Sequence, residues 1–228
     1  MTWLLVLTGA GVLLVVFFLI LIANAMPADL QVVDADETQV TEDMLALLDD
    51  FKDLGFELAG PLLRVEARPP VLLLPLLHAG HNCYGAVYRT GTTPAKTVGE
   101  FVTMYEPLGG LTTSPAIESG AMPAPPRVFY QVIPGAPPAA LLDAHLRGVA
   151  FLRSGGLPPK RVTEHTYIDD LRAALALQRA HFFRRPIRNM ITTIRRAATQ
   201  KTPHLGPVAD QADTSRRLTA ITGGAAGG

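Results

Sequence analysis

The feature that most constrains this chain is a change of hydrophobic period that happens twice. Apolar residues recur at helical spacing from Met44 to Leu54, at strand spacing from about residue 57 to 133, and at helical spacing again from Leu141 onward. A chain that runs helix, strands, helices buries its apolar faces most directly by laying helices on a sheet. The expected fold class is therefore α+β, with an antiparallel sheet of five to six strands covered by helices.

Thr41 is placed to cap the first helix, with Glu42 and Asp43 in its first turn, where the helix dipole favours acids. Met44, Leu47, Leu48, Phe51 and Leu54 share one face, and Gly55 supplies the stop. Candidate strands are Leu58–Glu66, Val71–His78, Cys83–Thr90, Thr97–Glu106, Leu111–Ser114 and Val128–Ile133, each bounded by Gly or Pro. Short connections favour antiparallel pairing, the exception being the 13-residue, proline-rich stretch Pro115–Arg127. Pro75 interrupts an apolar run and predicts a sheet edge or a bulge there.

After Pro138, Leu141, Leu142, His145, Val149 and Leu152 define one helical face that ends at Gly155-Gly156. Thr163 caps a longer helix through Ile168, Leu171, Leu175 and Phe182, which Pro186 breaks or kinks. The domain is expected to span residues 41–199. Residues 26–40 read as an acidic linker, and the polar stretch 200–228, ending in Gly223-Gly224-Ala225-Ala226-Gly227-Gly228, reads as a disordered tail.

Trp3 to Ile22 carries no charge over 20 residues, enough for a helix of roughly 30 Å, the thickness of a bilayer core. The expectation is a single-pass transmembrane anchor over residues 1–25, with the lipid bilayer as a partner. A cleaved secretory signal ending at Ala23-Asn24-Ala25 is the rival reading, against which Met1-Thr2 supplies no Lys or Arg. The lone thiol and the absence of Asn-x-Ser/Thr sites are compatible with the cytoplasm for the remainder but do not require it, so the side of the membrane stays open with a slight lean to the cytoplasm.

The formal net charge is zero, but it is divided unevenly. Residues 1–150 carry 7 Lys/Arg against 15 Asp/Glu, a net of −8, and residues 151–228 carry 13 against 5, a net of +8. A strongly basic nucleic-acid binder is disfavoured by the total, and no nucleic-acid partner is expected. The basic C-terminal part instead points to a polyanionic or membrane-surface contact. On a wheel of 100° per residue, Ile187, Met190, Ile191, Ile194 and Ala198 form one stripe flanked by Arg188 and Arg195, with Arg196 pointing away. The plainer expectation packs this stripe on the sheet. The other lays it on lipid, with Arg188, Arg195 and Arg196 reaching for phosphates.

Chemistry has one suggestive cluster. His78, His81 and Cys83 lie within six residues around Gly80 and could supply soft metal ligands, with His145 or His165 completing the set. Cys83 could instead serve as a nucleophile, with His145 as base and Asp143 or Asp169 as orienter. The plain alternatives are a polar hairpin tip, a buried small thiol and a hydrogen-bonded core histidine. No phosphate-binding loop, dinucleotide fingerprint, metalloprotease helix or nucleophile elbow occurs, and no cofactor is expected. The functional expectation is a non-catalytic binding or interaction domain, with a protein partner among its ligands; the alternative is a thiol- or metal-dependent enzyme built on His78, His81, Cys83 and His145.

Overall fold

The computed structural model describes residues 31–67, 69–92, 94–199 and 204–223. Its strands are β1 (Val32–Asp34), β2 (Glu57–Leu58), β3 (Leu63–Val65), β4 (Val71–His78), β5 (Cys83–Thr90), β6 (Thr97–Tyr105), β7 (Gly109–Ser114) and β8 (Val128–Val132). The helices are α1 (Glu42–Asp53), α2 (Pro138–Ser154), α3 (Tyr167–Arg184), α4 (Pro186–Thr199) and α5 (Thr214–Gly223). The strands form one sheet in the order β1-β3-β4-β5-β6-β7-β8, with β2 also paired to β4.

Pro75 explains why β2 and β3 are two strands. It sits inside β4 opposite Ala86 and has no N–H to give to the neighbour on its other side. On that side the register slips: Leu58 pairs with Leu76, yet Leu63 pairs with Leu73. The chain bulges between them, and only Ala59 N–H reaches the Pro75 carbonyl, at 2.9 Å. Pro75 therefore stays central, and its partner strand is the one that breaks.

Strand alternation sends two cores to opposite faces. On one face Leu74, Leu76, Cys83, Val87 and Phe101 meet Met44, Leu48 and Phe51 of α1 together with Leu141 and Leu142 of α2. Phe51 lies in a slot floored by Gly99 and Gly85, where an added Cβ would come within 2.7 and 2.9 Å of its ring, and it stacks on Phe101 at 4.7 Å. On the other face Tyr84, Ala86 and Met104 meet Val162 and Tyr167 at the start of α3. Asp170 of α3, buried there, accepts from Tyr84 Oη at 2.9 Å and pairs with Lys160 Nζ at 2.7 Å.

The sheet differs from the expectation in number and sense. It has eight strands, and it is mixed, because β7 and β8 run parallel. The 13 residues between them are long enough for a crossover, which a hairpin-length connection would not be. The linker and tail assignments also change. Part of the acidic stretch forms β1, on the sheet edge against β3. The tail returns to the opposite edge, where Val132 N–H donates to the His204 carbonyl and Gly206 N–H to the Val132 carbonyl, both at 2.9 Å. Val208 and Leu218 then bury themselves against Phe129 and Leu152.

The transmembrane expectation is corrected as well. Among the described residues no helix is long and apolar enough to cross a membrane. The longest, α3, carries Asp169, Asp170, Arg172, Arg179 and Arg184. Trp3 to Ile22 and the Ala25 junction lie outside the described residues, which form an α+β fold.

Candidate functional site

The side chains expected to carry chemistry do not converge on one open site, although His78 and Cys83 are paired across β4 and β5. His78 and His81 stack at the β4–β5 tip with ring centroids 4.1 Å apart, but His81 N–H donates to His78 Nδ1 at 3.2 Å. The His78 ring also packs edge-on against Phe56, and burial followed by the neighbouring His81 lowers its proton affinity. Cys83 is fully buried, and burial pushes its thiol up to about 12. A thiol held that far above neutrality gives almost no thiolate, the form that attacks or binds metal. Asp143 is exposed and paired with Arg147 one turn along α2, and His165 is exposed beside Glu164. Among the described residues no three His, Cys, Asp or Glu side chains converge as a metal set would require.

His145 is a core residue with both ring nitrogens occupied. Nε2 lies 2.9 Å from Thr103 Oγ1 and Nδ1 lies 2.9 Å from Thr113 Oγ1. Thr113 in turn accepts from Gln131 Nε2 at 2.8 Å, and Gln131 Oε1 accepts from Val208 N–H at 2.8 Å. One polar chain thus links α2, three strands and the C-terminal segment. Burial drives the imidazole down to about 3, so it stays neutral. It has no hydrogen bond with Cys83 and no open face for a substrate.

The corner of α3 and α4 is different. Asn189, buried, donates from Nδ2 to the His181 and Phe182 carbonyls at 3.1 and 2.9 Å, which staples the start of α4 to the end of α3. The inward side of α4 is set by Asn189 and Met190. The apolar stripe is consequently rotated away from the protein: Ile187, Ile191 and Ile194 are 55%, 57% and 41% exposed. The expectation that this stripe packs on the sheet does not hold, because Asn189 claims the inward position and leaves only Met190 of the stripe buried.

Beside this ridge lies a groove of about 380 Å³ lined by Pro123, Pro126, His181, Arg184, Arg185, Arg188, Asn189, Thr192 and Arg196. Its far rim is fastened from behind. Gln178 Nε2 donates to the Pro123 carbonyl at 3.0 Å, and Arg217 of α5 donates to the Pro125, Pro126 and Val128 carbonyls at 2.6–3.0 Å while stacking on Phe129. Among the described residues no acidic side chain lines the groove and no carboxylate forms an ion pair with Arg184, Arg185, Arg188 or Arg196. His181 is held below its ordinary value by burial and then by Arg184, Arg217 and Arg185. A larger depression of about 750 Å³, sharing Arg196, is lined by Lys96 and Glu118, whose charges cancel in an ion pair.

Arg188, Arg195 and Arg196, singled out by spacing, thus fall on one helix, with Arg188 and Arg196 in the groove. Arg184 and Arg185 stand just before Pro186, next to these arginines in the sequence. Asn189, Gln178 and Arg217 were not, since each acts through backbone carbonyls that only the fold supplies. Comparison with protein-family models, with curated proteins and with solved structures finds no match for this chain.

Proposed function

We propose that the domain is a non-catalytic binding module that docks on an anionic lipid surface through α4. The observation that carries this reading is the ridge of Ile187, Ile191 and Ile194, exposed on a helix that holds Arg188 and Arg195 along one edge of that ridge, with no carboxylate ion pair to either among the described residues. Isoleucines held out in water are individually unremarkable, but three in one row edged by cations match the face of an interfacial helix. Burying the exposed portions of the three side chains contributes about 3 kcal/mol, at roughly 2 kcal/mol for burying one whole aliphatic side chain. Arg184, Arg185, Arg188 and Arg195 add about 1 kcal/mol each near an anionic surface. The apolar and electrostatic contributions are comparable, so docking requires both. The cytoplasmic leaflet, which carries anionic lipid in many cells, is the surface with this chemistry.

An environment-sensitive dye on Ile191→Cys tests it in the full-length chain, because the native Cys83 is fully buried and does not label. Anionic vesicles should shift the emission to the blue and neutral vesicles should not. Changing Arg188, Arg195 and Arg196 to Gln, or raising the salt, should weaken the response by about tenfold or more. The same shift with both vesicle types and both proteins would remove the electrostatic part of the reading. No shift with either would overturn lipid docking through α4.

A further inference from the structure

We infer that the groove between α4 and the 123–126 rim is a binding site for a phosphate group, borne by a lipid headgroup or free in solution. It deepens the docking proposed above and rests on that reading only where the phosphate belongs to a lipid. Arg184, Arg185, Arg188 and Arg196 face one cavity with Thr192 among them, and among the described residues no acid lines it. Packing four guanidinium groups around one space without counter-charge is unfavourable for the protein alone, and an anion relieves it. Asp213 exerts a favourable field on Arg196 and Arg217 without an ion pair to either, so the excess remains.

The chemistry selects phosphate over a single carboxylate. Guanidinium forks donate in pairs to phosphate oxygens, and several arginines match a group with several accepting oxygens and up to two negative charges. His181 on the same wall has its proton affinity lowered by burial first and then by Arg184, Arg217 and Arg185. The walls are also fixed before any ligand arrives. Asn189 ties α4 to α3, and Gln178 and Arg217 hold the rim by its carbonyls. Little ordering is then left for the ligand to impose.

The groove and the isoleucine ridge occupy neighbouring faces of α4, lined by different residues. At 100° per residue, Arg188, Thr192 and Arg196 follow one line, while Ile187, Ile191 and Ile194 follow another. The two activities can therefore be separated by substitution.

The test uses full-length protein in uncharged detergent micelles, with inorganic phosphate as the probe, followed by calorimetry and phosphorus NMR line width. Saturable binding is expected, weakened about a hundredfold in Arg185→Gln/Arg188→Gln, since each of the two lost charge-assisted contacts is worth about a decade. Ile191→Ser should leave phosphate binding unchanged while weakening vesicle docking. Arg184→Gln alone provides a second variant, and thermal melts monitored by circular dichroism establish that all are folded. In the lipid arm, vesicles of phosphatidic acid and of phosphatidylserine are compared at equal surface charge. Preference for the phosphomonoester lipid, released by added inorganic phosphate, supports a headgroup ligand. Phosphate binding with no lipid preference supports a free phosphate ligand. Absence of saturable phosphate binding, or equal binding by wild type and Arg185→Gln/Arg188→Gln, overturns the site; the dye shift at position 191 reports separately on docking.

Discussion

Lowering the pH from 7.5 to 5 should destabilise the domain through its buried histidines, and the size of the effect follows from their surroundings. His145 has no exposure and burial holds it at about 3, while His204 is brought down by burial first, and then by Arg196, to about 4. In the unfolded chain both return to about 6.5. Both folded values are depressed, so between the folded and unfolded values it is the unfolded chain that takes up the proton. Stability is then complete above about pH 6.5 and falls as the pH drops toward the folded values. At pH 5 each histidine should cost about 2 kcal/mol, so together about 4 kcal/mol, a large share of the stability of an ordinary domain. His78 and His181, also lowered chiefly by burial, add in the same direction. Urea unfolding at pH 7.5 and 5.0 measures the loss. His145→Gln should lower stability at pH 7.5, because it breaks the link between Thr103 and Thr113, yet lose about 2 kcal/mol less than wild type on acidification. Equal stability of wild type at the two pH values, or an unchanged pH slope in His145→Gln, would refute the buried neutral imidazole.

Gly99→Ala should cost about 1–3 kcal/mol in thermal or urea unfolding, because the new methyl meets Phe51 at 2.7 Å; a neutral result would mean that the α1 slot is loose. Ending the chain after residue 203 should lower stability by about 3 kcal/mol or more in the same assay, since it strips Val208 and Leu218 from the core and uncovers the β8 edge. Cys83 should resist alkylation in the folded protein at pH 8 and react fully once urea unfolds it, as its buried thiol is held up at about 12. Rapid modification of folded protein would contradict that burial.

How far the sequence reveals the fold depends on what each residue packs against. The β4 and β5 boundaries were legible because Pro69-Pro70 and the Ala79–Asn82 turn punctuate two dense apolar runs. The α1 face was legible because Met44, Leu48 and Phe51 are both apolar and inward. The inward face of α3 was not, because it includes Asp170 and Gln178, whose partners Lys160, Tyr84 and Pro123 come from elsewhere in the chain. The same holds for the C-terminal segment: apart from Val208 and Leu218, its inward side is His204, Gln211 and Thr214, and polarity was read as disorder. At the candidate site, the arginines and isoleucines of α4 were visible as a pattern, but which flank faced inward was decided by Asn189. The lone thiol and His145 looked chemically suggestive only because their burial could not be seen. Parallel pairing of β7 and β8 was hidden because a 13-residue loop allows either sense.

The measurement that bears most directly on the central claim is nitroxide scanning of α4 on vesicles, with single cysteines placed in turn at positions 187, 191, 194 and 192 of the full-length chain. Paramagnetic-relaxant accessibility should place the labels at 187, 191 and 194 inside anionic bilayers and leave the groove-facing label at 192 at the headgroup level, with all four in water when the vesicles are neutral. Four labels that remain equally aqueous on anionic vesicles, or that follow no helical periodicity, would contradict docking through α4.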